Sequence, residues 1–306
     1  MRGRVAVVAG GTRGCGRGIA VELGARGATV YVGGRTTRER RSDMDRSETI
    51  EESAELVTAA GGHGVPVRCD FTVPAEVDAL RARLESEVDG QLDLLVDDVW
   101  GGDPLHEMGM PYWESDVDKA LRLVRNGVDS HLVALHRLLP LLVRRQGGLV
   151  VEVTDGDTED YGGTGIPYYL VKSSMRGIAR ALGAELRPHG CTGLAVCPGF
   201  LRSEAMLEAF GVTEENWRDA VRDGVHEQAP HFVLSETPRY LGRAVAALAG
   251  DPEVSRFAGQ TLASWTLMHE YGFSDVDGTR PDWGRWMTEV VIPGRDPATV
   301  HADGYR

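Results

Sequence analysis

The sequence predicts an α/β fold built on a doubly wound, mainly parallel sheet with helices on both faces. Two observations lead to it. Strand-like apolar runs alternate with helix-like amphipathic stretches from one end of the 306 residues to the other, as one large doubly wound domain requires. The first run, Val5–Ala9, is short and β-branched and breaks into glycines before an amphipathic stretch from Gly16; a second run over 29–33 follows at βαβ distance.

The glycine turn gives the first chemical reading. Gly10, Gly14 and Gly16 stand as GxxxGxG, where a missing Cβ lets the backbone turn tightly and approach a bulky anion. The helix behind offers unpaired N–H groups and the positive end of its dipole, so the stretch points to a dinucleotide pyrophosphate. After the second run an NAD site commonly carries an acid that holds the ribose hydroxyls and repels a 2′-phosphate. Here the position is Gly34. Arg35, with Thr12 and Arg13 of the turn, offers charge-assisted bonds to that phosphate, which favours NADP(H) over NAD; the plainer alternative is that Arg13 and Arg35 are solvated surface charges.

Residues 36–48 are charged and poor in apolar groups, a loop able to close over the adenosine end. Thr49 and Glu52 form a capping-box pattern for a helix that Gly61-Gly62 ends. The third strand is expected over 65–69, closing on Asp70, whose carboxylate either accepts from an adenine amino group or caps the next turn. Pro74 opens a helix to about residue 88, and a fourth strand over 92–96 delivers Asp97-Asp98-Val99-Trp100-Gly101 to the edge where such sheets bind ligands. One long helix over 115–145 carries Asn126, and a fifth strand over 149–154 leads to Tyr168 and Lys172. At YxxxK spacing the two share a helix face, so the ammonium favours phenolate and lowers a phenol pKa normally about 10. Helices over 204–210 and 214–223, with Met206, Leu207, Phe210 and Trp217 as pocket wall or plain core, precede a helix over 237–249 and a last strand over 260–263. In the tail, Trp265, Tyr271, Trp283 and Trp286 have the aromatic density of an interface or of a lid packed on a neighbour.

A net charge of −13 argues against nucleic acid or an anionic membrane as partner. No run approaches the roughly 20 apolar residues of a membrane span, and the first strand begins at once, which leads to a cytoplasmic location. Cys15, Cys69, Cys191 and Cys197 are scattered, without metal-ligand or disulfide spacing, and read as small buried hydrophobes.

The turn Gly10-Gly11-Thr12-Arg13-Gly14-Cys15-Gly16, Asp70, Tyr168-Tyr169-Leu170-Val171-Lys172 and Pro198-Gly199-Phe200-Leu201-Arg202-Ser203 together resemble, in order across most of residues 4–265, the short-chain dehydrogenase/reductase family. The loop after the second strand and the segment 270–278 resemble more narrowly its subgroup similar to dehydrogenase/reductase family member 1. The resemblance implies a Rossmann-type, seven-stranded parallel sheet in a single domain spanning 1–306, hydride transfer to or from a nicotinamide, Tyr168 as acid/base, and Lys172 holding the ribose and tuning the phenol. It implies cofactor contacts from the glycine turn, Asp70 and Asp98, and from Pro198, Gly199, Leu201 and Ser203 beside the nicotinamide. A substrate lid over 204–235, a C-terminal extension over 265–306, a small-molecule substrate and a homodimer or homotetramer complete the expectation.

Three positions depart from the family pattern. Where the family has a Ser that bonds the substrate oxygen, 13 residues before the tyrosine, stands Asp155. A carboxylate there repels a developing alkoxide and raises the Tyr168 pKa. Asp155 is then either protonated and donates as the Ser would, or leaves that role to the Thr154 hydroxyl, or receives a cationic or amine-bearing substrate. Asp97-Asp98-Val99-Trp100 replaces the family's Asn-Asn-Ala-Gly and loses its amide donors. The helix Asn of the family's proton relay falls on Gly127, with Asn126 one position off, about 100° around a helix. Asp97, Asp98 and Asp155 lack the spacing of a metal loop, so no metal is expected. The reading is an NADP(H)-dependent oxidoreductase of a carbonyl or alcohol. The alternatives are a cofactor-binding protein without turnover and a non-redox enzyme, such as a cyclase, epimerase or dehydratase, with Asp155 as general base.

Overall fold

In the computed structural model, which describes residues 1–41, 44–223 and 229–306, seven strands form one parallel sheet. The chain runs β1 (Val5–Ala9), α1 (Gly14–Ala25), β2 (Thr29–Gly34), α2 (Ile50–Ala59), β3 (His63–Arg68), α3 (Pro74–Glu87), β4 (Leu94–Asp97), α4 (Val117–Val124), α5 (Ser130–Leu142), β5 (Leu149–Val153), α6 (Ile166–Glu185), β6 (Thr192–Cys197), α7 (Glu204–Ala209), α8 (Asp219–Asp223), α9 (Pro238–Gly250), β7 (Thr261–Ala263), α10 (Ser264–Tyr271) and α11 (Trp283–Trp286). The order across the sheet is β3-β2-β1-β4-β5-β6-β7. Winding therefore reverses between β1 and β4, and the crevice beyond their carboxyl ends is where sheets of this kind bind ligands.

Both faces of the sheet are apolar, as the continuous Val, Leu and Ala runs require. Ala6 and Val8 enter a layer shared with α1 and α9, while Val5, Val7 and Ala9 enter the opposite layer with α3, α5 and α6. This is the period-two consequence of the pleat. α1 and α9 meet backbone to backbone: a Cβ on Gly18 would overlap the Pro238 carbonyl, and one on Gly242 the Gly18 carbonyl. Thr49 caps α2 by accepting from the Glu52 amide at 3.2 Å, but the Glu52 carboxylate bonds Arg17, so only half of the capping box forms.

Several expectations shift. The third strand starts at His63, because β2 pairs from Thr29 with that residue. The single helix expected over 115–145 is two, α4 and α5, joined by a π turn at Arg125–Asp129. The wider turn changes the register: Gly127 seats against Val171 of α6, where a Cβ would overlap that side chain, and Asn126 faces the crevice. The helices expected over 204–210 and 214–223 are shorter, α7 and α8; residues 224–228 of the expected lid, like 42–43 of the charged loop, lie outside the described residues. Phe210 and Trp217 are core, packed with Phe232. The aromatic tail folds onto its own chain, with Trp286 fully buried beside Leu234, Val290 and Tyr305, and Trp283 against Phe200 at 5.4 Å. All four cysteines are buried and free, and among the described residues no helix is long and apolar enough to cross a membrane.

Gly18→Ala forces α1 away from the start of α9. The expected result is a loss of roughly 1–3 kcal/mol, read as a lower urea midpoint; an unchanged midpoint would contradict the close crossing.

Candidate functional site

A cavity of about 620 Å³ opens at the carboxyl edge of the sheet. Its floor is the glycine turn. Gly10 has φ +83°, and a Cβ there would overlap the Asp98 carbonyl, while a Cβ on Gly16 would overlap the Gly10 carbonyl. The turn thus rests directly on the chain leaving β4, and only glycine allows it. At the start of α1 the Gly14 amide donates to Glu204 Oε2 at 2.9 Å. An anion, supplied by α7, lies where a helix N-terminus favours one, so the cradle fits a phosphate group. Glu208, one turn along α7, pairs with Arg46 at 2.5 Å and ties this helix to the charged loop as well.

At one end of the cavity the walls carry Arg13, Arg35, Arg40 and Arg41. Arg13 donates to Thr36 Oγ1 at 3.5 Å, and Arg35 Nη1 lies 3.8 Å from Asp70 Oδ2. Asp70 caps the next turn, accepting from the amide and hydroxyl of Thr72 at 3.0 and 2.7 Å. Burial works upward on its pKa, but those two donors and the Arg35 and Arg68 charges hold it below the usual carboxylate range.

At the other end, Tyr168 and Lys172 stand one turn apart on α6. Tyr168 Oη donates to Asp155 Oδ2 at 2.6 Å. Burial, then the Asp155 charge and hydrogen bond, push the phenol well above its ordinary value. The expected lowering by Lys172 does not prevail: its Nζ sits 4.3 Å from the Trp100 ring centroid and 5.6 Å from that of Tyr168. His106 stacks on Tyr168 at 4.5 Å, Trp100 meets it edge-on at 5.3 Å, and Trp100 Nε1 donates to Asp103 at 2.5 Å. Thr154 does not offer its hydroxyl to the cavity, because Oγ1 donates to the Lys172 carbonyl at 2.8 Å. Asn126 lines the cavity and donates to the Gly101 carbonyl at 3.0 Å. Pro198, Gly199, Leu201 and Ser203 line the wall nearest α7, and the Ser203 hydroxyl caps that helix through the Met206 amide. Beneath them Glu236 is fully buried and accepts from Ser264 Oγ at 2.6 Å; burial raises its pKa to about 8.

Under the loop after β4 lies a charge network that motif reading missed. His131 of α5 donates from Nδ1 to Glu152 of β5 at 2.5 Å and from Nε2 to the Val99 carbonyl at 3.1 Å, with Asp97 3.5 Å away. Both partners are acceptors, so both ring nitrogens carry hydrogen and the ring is an imidazolium. Burial works against that charge, but Asp97 and Glu152 outweigh it and raise the pKa to about 9. Burial lifts Asp97 to about 7 against the His131 charge, and Asp98 to about 7 against Lys172 and the Gly16 amide. Asp97, His131 and Glu152 are the group with metal-ligand proximity among the described residues, and it includes neither Asp98 nor Asp155. The available signal was an acid, Glu152, in the otherwise apolar run LVVEV.

The family model described as short chain dehydrogenase matches residues 4–211. The proteins of Mus musculus and Homo sapiens named dehydrogenase/reductase SDR family member 1 are each 31% identical to the chain, over 284 and 281 residues, covering 91% of it and 85% of each of them. Among solved structures, a short chain dehydrogenase from Mycobacterium thermoresistibile superposes with a TM-score of 0.72 at 20% identity, covering 92% of both chains. A short-chain dehydrogenase/reductase from Serratia marcescens shares the fold at TM-score 0.68 and 24% identity, covering 86% of this chain and 96% of its own.

Asp97, Asp98, Glu236 and His131 all hold protons in the folded state at pH values where the unfolded chain has released them. Such groups contribute stability that is complete below their unfolded pKa and is lost as pH rises through the folded value. The urea midpoint is therefore expected to fall from about pH 5 to about pH 9, the last part of the fall belonging to His131. A midpoint that rises across this window would refute the buried-proton account.

Proposed function

The chain belongs to the short-chain dehydrogenase/reductase family, and we propose that it is an NADP(H)-dependent oxidoreductase moving a hydride between the nicotinamide and a carbonyl or alcohol carbon held beside Tyr168. The observation that carries this reading is one cavity containing both the glycine cradle and the Tyr168–Lys172 pair. The nicotinamide cofactor supplies or accepts the hydride; the residues of this chain bind, orient and move the proton. The Gly14 amide would hold a phosphate in place of Glu204, and Arg13, Arg35, Arg40 and Arg41, with Gly34 where an acid would stand, favour a 2′-phosphate. Lys172 would hold the ribose, and Pro198, Gly199, Leu201 and Ser203 would stand beside the nicotinamide.

The proton to be delivered is at Tyr168 Oη. Asp155 Oδ2, already bonded to that hydroxyl and exposed at the mouth, resupplies it from solvent after the phenol has given it to a substrate oxygen. In an NADPH oxidation assay over a panel of ketones and aldehydes, Tyr168→Phe is expected to lose at least about 100-fold in kcat. Turnover that survives the substitution would remove the assigned acid.

Cofactor entry also requires Glu204 to leave the Gly14 amide. Glu204→Gln removes the charge that competes with phosphate, so NADPH is expected to bind roughly tenfold tighter, a difference of about 1.4 kcal/mol. Fluorescence titration with NADPH measures this; equal or weaker binding would mean that Glu204 and the cofactor do not share the amide.

A further inference from the structure

The reacting end of the cavity is built for a cation, and we infer that the same hydride chemistry extends to an iminium substrate, a protonated or alkylated C=N whose nitrogen sits against the Asp155 carboxylate. The inference rests on the hydride transfer proposed above. Its basis is the disposition of charge. Asp155 receives the Tyr168 hydroxyl at 2.6 Å, so the hydroxyl proton of the proposed acid points at a carboxylate. Asp103 is a second carboxylate on the same wall, held by Trp100 Nε1. The rings of Trp100, His106 and Tyr168 pack on one another there, and this cluster already holds one cation, the Lys172 ammonium over the Trp100 face at 4.3 Å.

Two nearby cations meet groups other than the Asp155 carboxylate. Lys172 lies over the Trp100 ring, 4.3 Å from its centroid. Arg176 donates to the backbone carbonyl of Asp155, to Ser173 Oγ and to Glu159, not to the Asp155 carboxylate. Arg122, which also lines the cavity, stands one helical turn before Asn126. Among the described residues the Asp155 carboxylate forms no ion pair, and it faces solvent at the cavity mouth.

Reduction of a ketone builds an oxyanion, which an adjacent carboxylate opposes. Reduction of an iminium ion builds none. The iminium carbon takes a hydride with its electron pair from the reduced nicotinamide, the C=N π pair becomes the nitrogen lone pair, and a neutral amine and the oxidised nicotinamide result without any proton transfer. A neighbouring carboxylate also raises the pKa of the imine nitrogen and so keeps the electrophilic, protonated form populated. The charge of Asp155 thus opposes the oxyanion of the first reaction even as its carboxylate returns a proton to Tyr168, and it favours the second, which builds no anion.

Two measurements test this. The first compares NADPH oxidation with N-methyl-dihydroisoquinolinium, a fixed cation, and with tetralone, a neutral ketone of similar shape. The iminium is expected to have at least about tenfold the kcat/KM of the ketone, and Asp155→Ser to reverse that order. The second is calorimetric binding of N,N-dimethyl-tetrahydroisoquinolinium, which is not reducible, to the protein and to Asp155→Ser and Asp155→Asn, with binding roughly tenfold weaker in both variants. Ketone turnover with no iminium turnover and no Asp155-dependent cation binding overturns the inference and leaves the oxidoreductase reading standing. Cation binding that depends on Asp155, with no turnover of either compound, overturns the oxidoreductase reading and the iminium reduction with it. Equal loss for both substrates in Asp155→Ser also overturns the inference, since it reduces Asp155 to a structural support.

Discussion

The contact between the glycine turn and the backbone leaving β4 fixes the rest of the site. Because neither Gly10 nor Gly16 has a Cβ, the turn sits on the Asp98 carbonyl, and the Asp98 amide in turn donates to Ala9 at 2.9 Å. The Gly16 amide donates to the Asp98 carboxylate, and that carboxylate faces Lys172. Lys172 stands one turn from Tyr168 on α6, so the phosphate cradle and the phenol are linked in steps, from the turn to Asp98, from Asp98 to Lys172 through their charges, and along the helix to the phenol. Lifting the turn by one methyl group would move the first of these and, with it, the charge that opposes the Lys172 ammonium.

The substitutions in the loop after β4 are balanced from below. Acids at 97 and 98 give up the donors of two amides, and an acid that is buried without a partner is costly. His131 supplies both the missing donor and a compensating charge: it holds the Val99 carbonyl with one nitrogen and Glu152 with the other, and its charge stands beside Asp97. The loop that presents Trp100 to Tyr168 and Lys172 is therefore anchored by the His131 cation at Val99 and by the Asn126 amide at Gly101. One oxygen each of Asp97 and Glu152 has no hydrogen-bond partner, which is consistent with a network that carries more acid than its single imidazolium can satisfy.

The layered architecture was legible because it depends on local pattern. Apolar runs such as VAVVA, the glycine break and the helix-length stretches between them each declare an element without reference to distant residues. The opposition of Asp155 to Tyr168 was legible too, since a fixed interval links them, and the structure joins the two by a hydrogen bond. What was not legible depends on partners far apart in the chain or on a change of helical register. Gly14 and Glu204 are 190 positions apart. The π turn reverses the roles expected of Asn126 and Gly127, because the packing of Gly127 on Val171 belongs to α6 and not to the helix that contains both residues. Likewise the upward shift of the Tyr168 pKa follows from burial more than from any neighbour, and burial is not written in a four-residue interval.

The Glu204 contact bears on how the cavity changes when an anion enters. A carboxylate released from the Gly14 amide is not stranded in an apolar place: the Arg13 guanidinium is near enough to feel its charge, and Glu208 on the same helix already pairs with Arg46. The arginines at this end thus meet acids of α7, and under the proposed function would meet cofactor phosphates in their place. The balance is then set by the difference between two anions on one set of donors, not by the full strength of either, and a ligand shifts such an equilibrium only by its differential affinity. On the proposed reading a phosphate, with more charge and more acceptor atoms than a single carboxylate, would win the amide and displace the Glu204 side chain of α7, the helix that also carries Met206 on the cavity wall. Under that reading occupation of the cradle would bear on the substrate wall, because the same short helix supplies both Glu204 and Met206.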